Sequence, residues 1–233
     1  MNAHLARLAA LALLTVSAAA SAAVPGAFTA RYQVSQDGQP MGTATVTLRP
    51  AANGQWVLSK DSQGSSGLAA LLGASTRESS TFRWRGNRPE AVSYDYRSRI
   101  AGKKKQRELR VDWATGQVSV DEGKGADTYP AQAGMVERNT LPLALGLALA
   151  AGQRSISLPV AVRQKVESER FKVAGDDTIQ VPAGHFKAAR VERSDNSKNF
   201  SAWYATDRYP MPVKLAQTDG GNLVLELVGY SQP

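Results

Sequence analysis

The sequence predicts a mostly β, antiparallel fold, and three observations carry that reading. Apolar and polar residues alternate through many short segments, tight-turn dipeptides separate those segments, and only two stretches break the rhythm. A period of two places successive side chains on opposite faces of a strand, so each segment presents one face to a core and one to water. Phe28, Ala30, Tyr32 and Val34 share one face of the first segment, and Ala44, Val46 and Leu48 share one face of the second. The alternation continues in Phe82 and Trp84, in Val92, Tyr94 and Tyr96, in Leu109, Val111 and Trp113, in Ile156 to Val162, and in Leu223, Leu225 and Leu227. Asp37-Gly38, Asn53-Gly54, Gly86-Asn87, Thr115-Gly116 and Asp219-Gly220 supply residues that tolerate the positive φ of tight hairpins. Roughly eleven to thirteen strands joined by short loops follow.

Two segments depart from this pattern. Ser66 to Ala74 is a short apolar insert with room for one or two helical turns. Thr140 to Gly152 (TLPLALGLALAAG) is apolar on every side, so it must be buried, and its Ala and Leu content favours helix over strand. Thr140 is placed to cap it, and Pro142 falls in the first turn, where a missing N–H does no harm.

The first 22 residues read as a secretory signal peptide. His4 and Arg7 form a basic start, Leu8 to Val16 an apolar stretch, and Ala20-Ser21-Ala22 a small-residue cleavage site. The apolar stretch is much shorter than the roughly 20 residues of a membrane span. Cleavage would leave residues 23–233 as a single β domain and lower the formal charge from +8 to +7. The chain has no cysteine, so neither disulfides nor the acylation site of a bacterial lipoprotein is available. A periplasmic location is expected, with no transmembrane helix.

Few residues point to chemistry. His185 is the only histidine beyond the leader, and it sits in the turn-like Pro182-Ala183-Gly184-His185-Phe186. No zinc set, calcium loop, nucleophile elbow or phosphate-cradling loop is present, so no cofactor, metal or catalytic residue is expected. A carboxylate pair assembled from distant positions would escape this reading. Charge is the one anomaly: Arg97, Arg99, Lys103, Lys104, Lys105, Arg107 and Arg110 face the single acid Glu108 in one predicted hairpin. Lys103, Lys104, Lys105 and Arg107 are candidate contacts for an anionic membrane surface, or they guard an exposed sheet edge. Nucleic acid is not an expected partner, since no recognition helix or aromatic RNA motif is present.

Val181-Pro182-Ala183-Gly184-His185-Phe186-Lys187-Ala188 and Trp203-Tyr204-Ala205-Thr206-Asp207, followed by Pro212-Val213-Lys214-Leu215, resemble segments of a family known as domain of unknown function 3108. Phe28 to Tyr32 and Arg83-Trp84 fit the same resemblance, which covers nearly the whole chain after the leader. The family implies no reaction and no active site. Its architecture is similar to that of the carriers of outer-membrane lipoproteins. This implies a curved antiparallel sheet or incomplete β-barrel, with one or two short helices against the concave face. The expected function is then a soluble periplasmic binding protein for a lipid or other apolar ligand. Leu141, Leu145, Leu149, Trp84 and Trp113 are the candidate contacts, and the element Leu141 to Leu149 acts as a lid. The alternatives are an envelope scaffold without catalytic activity and a carboxylate-dependent hydrolase.

Overall fold

The computed structural model describes residues 24–195, 200–218 and 222–233. The expected leader and the Asp219-Gly220 turn lie outside the described residues. Fourteen strands form one antiparallel sheet: β1 (Phe28–Gln36), β2 (Gln39–Pro50), β3 (Gln55–Gly64), β4 (Ser75–Arg85), β5 (Arg88–Ile100), β6 (Lys103–Asp112), β7 (Gln117–Asp121), β8 (Ala126–Pro130), β9 (Ser155–Ala161), β10 (Val166–Val181), β11 (Gly184–Arg193), β12 (Phe200–Tyr204), β13 (Lys214–Gln217) and β14 (Leu223–Ser231). Their spatial order is β8-β7-β6-β5-β4-β3-β2-β1-β14-β13-β12-β11-β10-β9. Each strand pairs with its neighbour in sequence, apart from the β1–β14 pairing that joins the two halves, so the ladder has free edges at β8 and β9.

The turn dipeptides work as their chemistry requires. Asp37 and Gly38 both adopt positive φ between β1 and β2, as do Asn53 and Gly54 between β2 and β3. One alternating segment reads differently from expectation. Thr81 pairs with Ser93 but Phe82 with Ala91, so Val92 is the extra residue of a bulge. The bulge changes the phase, and Ala91 rather than Val92 joins Tyr94 in the core. The strand number exceeds the expected range because short strands such as β7, β8 and β13 have little periodicity to read.

α1 (Gly67–Leu71) follows β3, and α2 (Leu141–Ala150) follows the loop after β8. α2 lies inside the curved sheet with both sides covered. Leu143 and Leu147 pack with Phe28, Ala30, Leu48 and Phe82 of β1, β2 and β4. Leu141, Ala144, Leu145 and Ala148 pack with Ile156, Val160, Phe171, Val191 and Tyr204 of β9 to β12. A helix enclosed by two wings of one sheet has no wet face, which explains why it is apolar all round.

Residues 131–140 strap the free edges together. Val136 makes a parallel bridge to Val160 of β9, and the Ala91 N–H of β5 donates to the Met135 carbonyl at 2.9 Å. The Tyr129 hydroxyl of β8 donates to the Val162 carbonyl at 2.6 Å just beyond β9. Buried Glu90 holds the strap by accepting from the Gly134 N–H at 2.7 Å while Arg83 and Arg85 bind its other lone pairs. Burial pushes that carboxyl up, but the Gly134 N–H and the two guanidinium groups outweigh it and hold it below the usual range. Among the described residues, no helix is long and apolar enough to cross a membrane.

Candidate functional site

The sheet has two unlike ends. The turns β2–β3, β4–β5 and β6–β7 lie at one end, where Trp56 and Trp84 make an edge contact at 6.1 Å and Phe82 meets Trp84 at 4.9 Å. At the other end lie the β1–β2 turn, α1 and the β5–β6 turn, together with the start of β14 and the end of β13. α2 and the aromatic side chains fill the first end. Toward the second, a cavity of about 410 Å³ remains between the concave face and the start of α2. That volume lies within the roughly 300–1,000 Å³ of small-molecule pockets.

The lining is divided. Phe171, Met211, Leu215, Leu223, Leu225 and Leu141 form an apolar wall. Lys60, Glu78, Arg138, Glu169, Arg193 and Gln217 form a polar one. Lys60 Nζ lies 2.5 Å from Glu78 Oε1, and the Tyr94 hydroxyl donates to Glu78 Oε2 at 2.8 Å. Glu169, fully buried, is gripped by Arg138 at 2.6 Å and Arg193 at 3.1 Å, and Arg193 is shared with Asp195 at 2.6 Å. Charges removed from water survive only when so paired, since an unpaired buried carboxylate is very costly.

A third buried acid, Glu137, sits behind this wall. Its carboxylate accepts from the Asn139 N–H at 2.7 Å and the Thr140 hydroxyl at 2.6 Å, and Asn139 Nδ2 donates to the Leu58 carbonyl and to Ser80 Oγ. This network pins the entrance of α2 to β3 and β4. Burial is the largest influence on the Glu137 carboxyl, and with the nearby Glu78 charge it raises the group above the ordinary range despite these hydrogen bonds. Among the described residues, no three His, Asp or Glu side chains are grouped as a metal site would require.

The sequence-predicted contacts fall in different places. Leu141 lines the cavity. Leu145 is completely buried among β9 to β12 side chains, and Leu149 is partly buried at the far end of α2. Trp84 packs at the filled end, and Trp113 follows β6 there, donating Nε1–H to the Ala91 carbonyl at 3.0 Å with Arg83 over its ring. Aromatic residues were natural candidates, yet Trp84 and Trp113 lie at the closed end and not in the cavity lining. α2, expected to act as a lid, is enclosed between the two wings of the sheet and lies in close contact with the loop, since a Cβ on Gly146 would lie 2.0 Å from the Pro210 carbonyl oxygen. Lys103, Lys104 and Lys105 are exposed at the β5–β6 turn. Arg107 is not part of that exposed group. It shares the inner phase of β6 with Leu109 and is bound to Glu122, its Nε at 2.7 Å from the carboxylate. His185 is exposed on β11.

Sequence reasoning missed the polar wall, although a signal for it exists. Lys60 follows Leu58, Glu78 precedes Ser80 and Phe82, Glu169 precedes Phe171, and Arg193 follows Val191, each in the inward phase of its strand. Charges in the apolar phase of an alternating segment mark a lined interior and not a wet face.

The family model described as "Protein of unknown function (DUF3108)" matches residues 31–228. The chain belongs to this family. In this DUF3108 chain the Trp203–Leu215 segment forms the end of β12, the loop that meets α2 and the start of β13. The chain is similar in fold to a β-barrel-like protein of unknown function, DUF1849, from Brucella abortus, with a TM-score of 0.50, 11% identity, and coverage of 89% of this chain and 98% of that one. A second structure, from Bacteroides fragilis and described as an exported protein candidate with a YmcC-like fold, matches with a TM-score of 0.34 and 7% identity over 90% of this chain and 97% of that one. No curated protein matches the chain.

Proposed function

We propose that this DUF3108 chain is an exported binding protein that holds a small amphiphile in the cavity between α2 and the concave face of the sheet. The observation that carries this reading is the mixed lining: apolar Phe171, Met211, Leu215, Leu223 and Leu225 alongside a set of charged and polar groups. An apolar chain packed along the apolar residues leaves water at a gain of about 25 cal/mol per Å², and a polar head group exchanges water for Lys60, Arg138 and Gln217. The buried carboxylates support binding over catalysis. Glu78 is committed to Lys60 and Tyr94, Glu169 to two arginines, and Glu137 to the entrance of α2. A general acid or base must present a lone pair or proton to substrate, and these carboxylates are each held in ion pairs or hydrogen bonds to the protein. The periplasm fits such a carrier, as does the leader-like start of the sequence.

The test is uptake of a dansyl-labelled fatty acid by the purified protein, followed by fluorescence. Leu225→Trp and Met211→Trp, which enlarge side chains on the apolar wall, are expected to weaken uptake at least tenfold while the strand-rich circular dichroism is retained. Absence of probe uptake by the parent protein, with no lipid in organic extracts of it, would leave the scaffold reading in its place.

A further inference from the structure

The end of the sheet that carries the cavity rim also carries an unusual surface. Five large apolar residues are exposed among the described residues, and three of them are here: Leu68 and Leu71 of α1, and Ile100 at the end of β5. Isolated exposed leucines need no explanation, but a cluster on one tip does. The tip is built as a unit, since the Ala101 N–H of the β5–β6 turn donates to the Leu72 carbonyl at 2.8 Å.

The leucines cannot fold inward. α1 is tied down by the Ser65 and Ser66 N–H groups, which both donate to the Met41 carbonyl at 3.0 and 3.2 Å. Gly64 lets it lie close against β3, because a Cβ there would sit 2.7 Å from the Ala69 carbonyl oxygen. Ala69 is the residue α1 buries, and Leu68 and Leu71 consequently point away from the sheet.

Cations flank this apolar tip on its β5–β6 side. Lys103, Lys104 and Lys105 follow the turn, and Arg99 precedes it, all exposed and none in an ion pair among the described residues. Arg99 lies directly opposite Lys104 across the β5–β6 ladder, and Arg77 directly opposite Arg97 one strand over. Arg77 and Arg97 have carboxylate neighbours in Asp61 and Glu108, at 2.5 and 3.7 Å. The Arg99–Lys104 pair has none. Like charges directly opposite one another destabilise a sheet, so the arrangement favours a bound anion. A groove beside it, lined also by Thr43, Ser75 and Gln106, gives such an anion hydroxyl and amide partners.

Apolar side chains beside unpaired cations match one occupant in chemistry: the interface of an anionic bilayer, where phosphates lie next to acyl chains. We propose that α1 and the β5–β6 turn form a membrane-docking tip. It seats Leu68, Leu71 and Ile100 among the acyl chains while Arg99 and Lys103 to Lys105 meet lipid phosphates. Phe200, Gln217 and Leu223 of the cavity wall stand at strand ends on this same end of the sheet, so a docked molecule would hold its cavity toward the membrane. The docking surface is separate from the cavity lining, and its test does not depend on a bound amphiphile.

The experiment is co-sedimentation with phosphatidylglycerol vesicles and with phosphatidylcholine vesicles. All proteins compared carry the same N-terminus, so any contribution of residues 1–22 cancels. The parent is expected to bind phosphatidylglycerol and leave phosphatidylcholine in solution. The triple change Lys103→Gln, Lys104→Gln and Lys105→Gln should lower partitioning on the order of 100-fold at low salt, with the gap narrowing as salt shortens the Debye length. Leu68→Ser with Leu71→Ser should lower it by about tenfold per leucine at any salt, since each change removes roughly half-buried apolar surface. All these positions are exposed, and unchanged thermal unfolding verifies that the variants fold. Equal partitioning of parent and variants, or equal binding to both kinds of vesicle, would overturn the proposal, whatever the dansyl probe shows of the cavity.

Discussion

Gly146 offers a sharp test of how α2 is held, because local and tertiary effects there have opposite signs. In a helix interior, alanine is favoured over glycine by about 1 kcal/mol, so propensity alone predicts that Gly146→Ala stabilises the protein. The structure predicts the reverse. The new Cβ would lie 2.0 Å from the Pro210 carbonyl oxygen, 3.0 Å from its carbon and 3.2 Å from Cε1 of Tyr204. Restoring ordinary contact requires a shift of over about 1 Å by the helix or by the loop, a degree of overpacking that costs about 1–3 kcal/mol and occasionally more. The loop has little freedom to yield. The Tyr32 hydroxyl donates to the Pro212 carbonyl at 2.9 Å, the Val213 N–H donates to the Trp203 carbonyl at 2.8 Å, and the Tyr204 hydroxyl donates to the Pro142 carbonyl at 3.0 Å. The upper part of that range therefore applies, and the net expectation is a loss of about 2 kcal/mol. With a urea slope of about 2 kcal/mol per M, the unfolding midpoint falls by about 1 M. An unchanged or higher midpoint would show that α2 is loosely seated, and with it the claim of a fixed cavity floor would fall.

Other outcomes follow from the buried charges and the exposed histidine. Glu137 holds its proton in the fold at pH values where the unfolded chain has released it, so its contribution to stability declines as pH rises above the ordinary value of 4.5. Urea unfolding across this range should show the parent losing ground to Glu137→Gln, by about 1.4 kcal/mol for each unit of the upward shift; a difference that does not vary with pH refutes the assignment. Glu169→Ala leaves Arg193, whose side chain is nearly buried, without its main interior partner, and should cost about 3 kcal/mol by the same measurement. His185→Ala, at an exposed β11 position, should change stability by no more than about 0.5 kcal/mol and leave probe uptake unaltered.

The scaffold of the fold was legible because it rests on local rules. Asp37-Gly38 and Asn53-Gly54 can supply a tight turn with positive φ, and Leu141 to Ala150 has the composition of a buried helix. The bulge at Val92 was not legible, since it depends on where the strap at Met135 meets β5 and not on residues around Val92. The strap itself has no period. What holds residues 131–140 in place is Glu90, reached through a contact 44 residues away in sequence. Alternation predicts which side chains enter the interior, but it cannot say whether the interior is full. Trp84 and Leu225 both carry the inward phase and both pack against the core, yet only Leu225 also lines the cavity.

The path of α2 accounts for the division of the interior into a filled and an open half. α2 is ten residues long, about 15 Å at 1.5 Å per residue, while strands such as β5 and β10 extend 13 and 16 residues, or over 40 Å at about 3.3 Å each. One short helix cannot cover strands of that length, so part of the concave face must be completed by other groups. At the Trp56 and Trp84 end, aromatic rings and the 205–213 loop supply them. Toward α1 the same inward positions carry Lys60, Glu78, Glu169 and Arg193, which pair between adjacent strands, Lys60 with Glu78 on β3 and β4 and Glu169 with Arg193 on β10 and β11. Apolar side chains there would have closed the core at no electrostatic cost, and well-packed replacements for buried ion pairs are often more stable. Retaining charges at that end, among apolar lining residues and at the same end of the sheet as the exposed leucine tip, suits an interior that admits an amphiphile from one direction.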